Sequence, residues 1–251
     1  MTQTTTLDTP SQVITFIPQP MIKRPEKTKT LILDSGTLIN LSMNGLLYII
    51  PELKKLTNTR FAITEQVKYE TLDRPIKIPR FQLEALRIKK LIDSKELEMP
   101  SSFSISNEKI KSKSNELLHI ANHTVQARGK FINIVSDAEM SCLALSSILT
   151  ERGIKNIIAI DERTTRILAE KPENLQKIMS KKLHFHVKLK TTNFNLFKDF
   201  KFIRSSELAY VACKKGVLNV KDPKALEAVL FATKYKGSSI SHDEIKALKK
   251  L

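Results

Sequence analysis

The stretch LILDSGTLINL, residues 31–41, decides the fold. An apolar run ends in Asp34. Ser35, Gly36 and Thr37 then supply turn and cap chemistry before a second apolar pattern begins. A run with so little alternation reads as a parallel strand buried on both faces. Two later stretches repeat the design: IVSDAEMSCLAL at 134–145 and NIIAIDERTTR at 156–166. Each sets an acid where an apolar run gives way to a helix. In open α/β sheets that edge, at the carboxyl ends of the strands, is where ligands bind. Two carboxylates ~4 Å apart repel by about 4 kcal/mol at an effective dielectric near 20. A divalent cation removes that penalty, so the pattern reads as a metal site.

Working outward from the first strand at 29–34, a helix is expected from about 37, interrupted near Gly45 and resumed around Pro51. A strand at 60–62 leads to a helix at 64–72 with Thr64 as N-cap. Pro75 and Pro79 break the chain, and 80–93 returns to a helical pattern. Ser- and Lys-rich residues 100–114 read as a flexible loop. Helices at 115–127 and 137–151 flank the strand-like FINIV at 131–135, and a strand at 156–160 precedes a helix from 162. Strands alternating with helices argue an α/β domain, a mostly parallel sheet with helices on its faces. Residues 181–190 alternate like an exposed strand. Residues 190–204 interleave Phe194, Phe197, Phe200 and Phe202 with basic residues, and the rings read first as core packing. Helices at 205–215, 222–235 and 241–250 close the chain, the last with a Ser241–Glu244 capping box. The expected division is a mobile arm at 1–28, which carries the apolar piece VITFI at 13–17, an α/β domain at 29–190, and a basic linker with a helical extension at 191–251.

The chain has 251 residues, of which 42 are Lys or Arg and 26 Asp or Glu, for a net charge of +16. Such an excess points to a polyanionic partner, nucleic acid before membrane surface. Cys142 and Cys213 read as buried thiols. No apolar run is long enough to span a membrane, and the first residues lack a signal-peptide pattern. A cytoplasmic protein with no membrane partner is expected.

Each acid has a structural alternative. Asp34 could cap the helix at 37, although its neighbours can do so without it. Ser136 and Glu139 form a capping box around Asp137, and Asp161 could cap 162–170. Glu70 lies late in its helix, where a carboxylate opposes the dipole and needs compensation. Magnesium binds one or two carboxylates directly and keeps several waters. On that basis Asp34 and Asp161 are candidates for direct contact, with Asp137 and Glu70 orienting waters or holding a second ion. Arg163 and Arg166 follow the last acid. Lys181, Lys182, Lys188 and Lys190 offer further phosphate contacts. His119 and His123 share a helical face without an evident third ligand.

Taken in order, LILDSGTLINLSMNGLL, ITEQVKYETL, SDAEMSCLAL and IIAIDERTTRILA resemble the PIN-domain family, most closely its archaeal and bacterial VapC-like toxin members. The resemblance covers roughly 29–190. It implies a three-layer α/β/α nuclease domain that uses Mg2+ or Mn2+ to hydrolyse RNA, usually single-stranded, as a toxin or an RNA-processing enzyme. The catalytic acids it implies are Asp34, Glu70 in a Val-x-x-Glu pattern, Asp137, and Asp161 or Glu162. Its metal set is Asp34, Asp137, Asp161, Glu162 and Glu139. An antitoxin or other protein partner and a homodimer belong to the same resemblance. Many members carry Thr or Ser two residues before the fourth acid, where this chain has Ala159 or Ile160. The alternative is therefore a catalytically degenerate PIN-like module that binds RNA or protein.

Overall fold

The computed structural model describes residues 28–190 and 194–251. The arm at 1–27 with VITFI, and 191–193 in the linker, lie outside the described residues.

The protein is α/β, built on a parallel four-stranded sheet. β1 (Lys29–Leu33) pairs on one side with β2 (Thr59–Ala62) and on the other with β5 (Asn156–Ala159); β7 (Phe202–Ile203) extends the β5 edge. Leu31, Ile32 and Leu33 are all buried, which explains why that stretch lacks alternation. Strand order β2-β1-β5-β7 means that the chain leaves β1 towards one edge and β5 towards the other. In open α/β sheets ligands bind where such departures diverge, outside the carboxyl ends of the strands.

Helices cover the sheet in a way compatible with three α/β/α layers. α6 (Asp137–Glu151) lies against β1 and β5 and packs along α5 (Asn107–Asn122). Most of α6 is buried, from Ala138 and Met140 through Cys142, Leu145 and Leu149. α1 (Ser35–Met43) meets α4 (Gln82–Asp93) and α9 (Ser205–Lys214), while α2 (Ile49–Thr57) backs β2. A short α3 (Glu65–Lys68) runs directly into one π-helical turn, Tyr69–Asp73. α7 (Arg163–Glu170) follows β5, and α8 (Leu175–Leu183) packs against it. A separate antiparallel sheet, β4-β3-β6, joins Lys130–Phe131, Val125–Ala127 and Lys188–Leu189.

Three expectations need correction. Residues 100–114 are no flexible loop: α5 begins at Asn107, capped by Ser106. Ile110, Ser114, Leu117 and Ala121 form its buried stripe, with a small polar residue where an apolar one would have signalled a helix. Residues 181–190 are mostly not strand either. Leu175 and Met179 anchor α8 through Leu183, and only Lys188–Leu189 are extended. The boundary set at 190 falls short, because Phe202–Ile203 complete the main sheet. Phe197 is fully buried, and Phe194, Phe200 and Phe202 pack against the core. Beyond them α10 (Ala225–Tyr235) and α11 (His242–Lys250) share a small core of Leu230, Ile240 and Ile245.

Candidate active site

β1 delivers Asp34 to the carboxyl end of the central strands. Its backbone N–H still bonds Ala159 O at 3.1 Å, so the residue is fixed by the sheet. Thr37 donates to the same Ala159 carbonyl at 2.9 Å, clamping the start of α1 to β5. Asp34 is only 4% exposed. One oxygen, Oδ2, accepts the Gly36 N–H at 3.1 Å as an N-cap. The other, Oδ1, is buried with no hydrogen-bond partner. A Cβ on residue 36 would sit 3.2 Å from Oδ2, tighter than ordinary contact, so glycine keeps the carboxylate accessible to the N–H.

Glu139 comes to the same place from α6. It is buried, and its Oε2 accepts both the Ser136 N–H at 3.0 Å and the Thr165 hydroxyl at 2.7 Å. The capping box is therefore real, and it also aims the carboxylate inward and ties α6 to α7. Glu70 sits in the π-helical turn after α3, half-buried, with Gln66 donating to it at 3.1 Å. π-Helical turns recur at functional sites because they re-aim a side chain within a helix. Thr64 caps α3 and contacts Ser141 of α6 at 2.6 Å, fixing this corner to the rest. Glu162, half-buried, caps α7 through Thr164 and receives Lys182 at 3.3 Å.

Charge links these carboxylates to Asp34 and Glu139: Glu139 and Glu70 act on Asp34, and Glu162 and Glu70 act on Glu139. Burial pushes the Asp34 carboxyl up to about 7, the negative charge of Glu139 adds to this, the Gly36 and Ser35 N–H groups pull back, and Glu70 adds a further push. Burial also raises Glu139, opposed by the Ser136 N–H and the Thr165 hydroxyl and reinforced by Glu162 and Glu70. At Glu162 burial works upward, but Thr164 and Lys182 outweigh it and hold the carboxyl below its ordinary value. Beneath them the Cys142 thiol, aimed at Leu33 O, is raised well above normal by burial and by Asp34 and Glu139.

Two expected members of the cluster have other environments. Asp137 is exposed and lines a cavity of about 250 Å3 with Thr64, Gln66, Asn107 and Lys111. Asp161 is buried as a structural acceptor: Oδ2 takes Asn40 Nδ2 at 3.1 Å and Oδ1 takes the Ser205 N–H at 2.8 Å. Where Asp161 and Glu162 were alternatives, the carboxylate coupled to Glu139 is that of Glu162. The sequence reading missed Thr165 as a partner of Glu139. The Thr164–Thr165 pair at the head of α7 was the available signal.

The basic residues divide as well. Arg163, Lys181 and Lys182 line an open cleft of about 620 Å3 with Lys177, Asn174 and Glu162. Arg166 turns away: it is half-buried, its Nε lacks a partner, and burial and the neighbouring Arg204 lower its pKa. Lys188 and Lys190 belong to the small antiparallel sheet and its end.

Among the described residues no group of three or more His, Cys, Asp or Glu side chains is arranged to hold a metal ion. No helix among them is long and apolar enough to cross a membrane. No protein-family model, curated protein or solved structure matches the chain.

Proposed function

We propose that this protein is a metal-dependent endoribonuclease of PIN type, acting on single-stranded RNA at the crevice between β1 and β5. One observation carries the proposal. Asp34 Oδ1 is buried without a partner while Glu139 and Glu70 act on the same carboxylate. A buried acceptor left unmade is costly, and like charges add to the cost. A proton satisfies it in the free protein near neutral pH; a divalent cation satisfies it better. Magnesium does not require three side chains converging on it, because it keeps several waters and takes one or two carboxylates directly. In this proposal Asp34 and Glu139 hold the cation, and Glu70 and Glu162 orient its waters. The cation, Mg2+ or Mn2+, supplies an activated water and neutralises charge on the phosphate oxygens. Arg163, Lys177, Lys181 and Lys182 receive the phosphates flanking the scissile bond, and Lys182 leaves Glu162 for the substrate as it arrives.

The test is cleavage of a labelled single-stranded RNA with Mn2+, repeated with Asp34→Asn and Glu139→Gln. Loss of cleavage in both variants, with folding intact, supports the proposal; equal cleavage by all three proteins ends it. A second reading rests on the Lys182–Glu162 ion pair. In that reading Lys182 permanently neutralises the cluster and the module binds RNA without cutting it. RNA binding with no cleavage under any divalent cation, and no Mn2+-induced rise in melting temperature, decides for this second reading.

A further inference from the structure

The small sheet β4-β3-β6 carries a feature that the nuclease site does not use. Its two faces differ. Register sets Val125 opposite Leu189, with Val125 fully buried and Leu189 packed against the core. The alternate row, Phe131–Gln126–Lys188, therefore lies on the outer face, since opposed residues in antiparallel strands share a side. Phe131 is 39% exposed on the edge strand. An exposed ring in a chain this polar is not explained by packing of the core.

Phe131 is also the end of a row of tilted ring contacts. The His123 ring lies 4.7 Å from it, centroid to centroid, and the His119 ring 4.0 Å from that of His123. A contact of 2.7 Å between His123 Nδ1 and His119 O fixes the His123 ring at the end of α5. Lys190 Nζ sits over Phe131 at 5.1 Å from the ring centre. The turn joining β3 to β4 is Arg128–Gly129, both with positive φ (50° and 79°). That is the geometry of a tight hairpin twisted to match its strands. It leaves Arg128 exposed at the tip, near the Phe185 ring. Lys188 shares the outer face with Phe131, and Lys188 and Lys190 are both exposed.

Held aromatic faces surrounded by cations match the chemistry of unpaired bases on a phosphate backbone. A duplex would not use the rings, because its bases are already stacked on each other. A protein partner would find a ring fenced by like charges, whereas a polyanion complements them.

We propose that the outer face of β4-β3-β6 is a stacking platform for single-stranded RNA, distinct from the acidic crevice: Phe131 and His123 take base faces, while Arg128, Lys188 and Lys190 take phosphates. It shares with the nuclease proposal only the choice of RNA as ligand. The platform holds the strand by contacts that tolerate any base, and it anchors RNA independently of the metal.

The test is binding, by fluorescence anisotropy, of a labelled single-stranded oligoribonucleotide in chelator, where no cleavage occurs. Phe131→Ala weakens binding about ten-fold. Phe131→Leu, which keeps an apolar side chain but removes the ring, weakens it comparably, and Phe131→Tyr restores it. Lys188→Ala lowers the salt dependence by about one phosphate contact. Duplex RNA of the same length is insensitive to all three Phe131 substitutions. Unchanged single-strand affinity in Phe131→Ala overturns the platform and leaves the exposed rings to a protein partner. Weakening by the lysine substitutions alone overturns the stacking role. Cleavage with Mn2+ is measured separately on the same Phe131 variants, so a dead nuclease site and an absent platform give different results.

Discussion

At the scale of single residues, Asp34 is the most informative position. Its folded pKa of about 7 lies above its ordinary value of 3.8. A carboxyl raised in this way binds its proton more tightly in the folded state. The fold therefore loses stability as pH rises from 3.8 to about 7, and the loss is constant above that. Keeping Asp34 ionised costs up to about 4 kcal/mol. Asp34→Asn, which retains a good N-cap residue, is expected to stabilise the metal-free protein at pH 8 and to lose that advantage as pH falls towards 3.8. Urea unfolding across this range checks it; a gain independent of pH would contradict the burial argument. Mn2+ is expected to raise the melting temperature of the parent at pH 8 and to leave Asp34→Asn unmoved.

The two neighbouring acids at each later position test the geometry further. Asp161→Ala strips acceptors from Asn40 and from the Ser205 N–H, and a loss of about 2–4 kcal/mol in stability is expected. Asp137→Ala, at an exposed position, is expected to leave both stability and cleavage near parental values, whereas Glu139→Gln removes cleavage. These pairs also show where sequence reading reaches its limit. Asp34 is legible because a strand end has one outlet, towards the crevice. Asp137 and Glu139 are two apart on a helix, about 200° around its axis, so a choice between them selects opposite sides. Asp161 and Glu162 are adjacent in extended backbone, where side chains alternate. Four acidic stretches could be recognised from their setting. Which acid within a stretch faces the crevice depended on a rotation that one or two residues reverse.

At the scale of elements, the last helix is held by charge. Arg204, nearly buried, bonds Glu207 and, at 2.8 Å, Glu244. Burial works to raise Glu244, but the Ser241 N–H and the Arg204 guanidinium overcome it and hold the carboxyl at about 2, below its ordinary 4.5. A lowered acid contributes stability that is complete above 4.5 and disappears as pH falls through about 2. The protection factor of α11 amides, corrected for the intrinsic exchange rate at each pH, is therefore expected to fall across that window, and in Glu244→Gln to be low at all pH values. A protection factor that does not change with pH in the parent would contradict the role given to this pair. The capping box that marked α11 in the sequence is the same Ser241–Glu244 arrangement. The first half of α5, residues 107–114, reads as loop in the sequence because Ser114 occupies a buried position and surrounding lysines obscure the stripe. Its helix owes more to packing along α6 than to its own pattern, as is common for marginal helices.

At the scale of the whole molecule, a charge of +16 sets how the proposed RNA ligand would be met. Several phosphate contacts release several counterions, so affinity is expected to fall steeply between about 50 and 200 mM salt. A titration with a flat response would separate the protein from nucleic acid altogether. The composition disclosed this charge but not its distribution. Arg166 was grouped with Arg163 by proximity in sequence, yet it lies beside Arg204 within the fold. Helical rotation again separated near neighbours.

β7 has a consequence for any attempt to isolate residues 29–190 alone. Ile158 N and Ile160 N donate to Lys201 O and Ile203 O, so the short strand seals the border of the main sheet. Cutting the chain at 190, where composition changes, would leave those donors facing water beside Ile157. An unsealed border of this kind accepts strands from other molecules. The shortened protein is expected to self-associate, because the chain beyond residue 190 supplies the strand that closes this border of the main sheet.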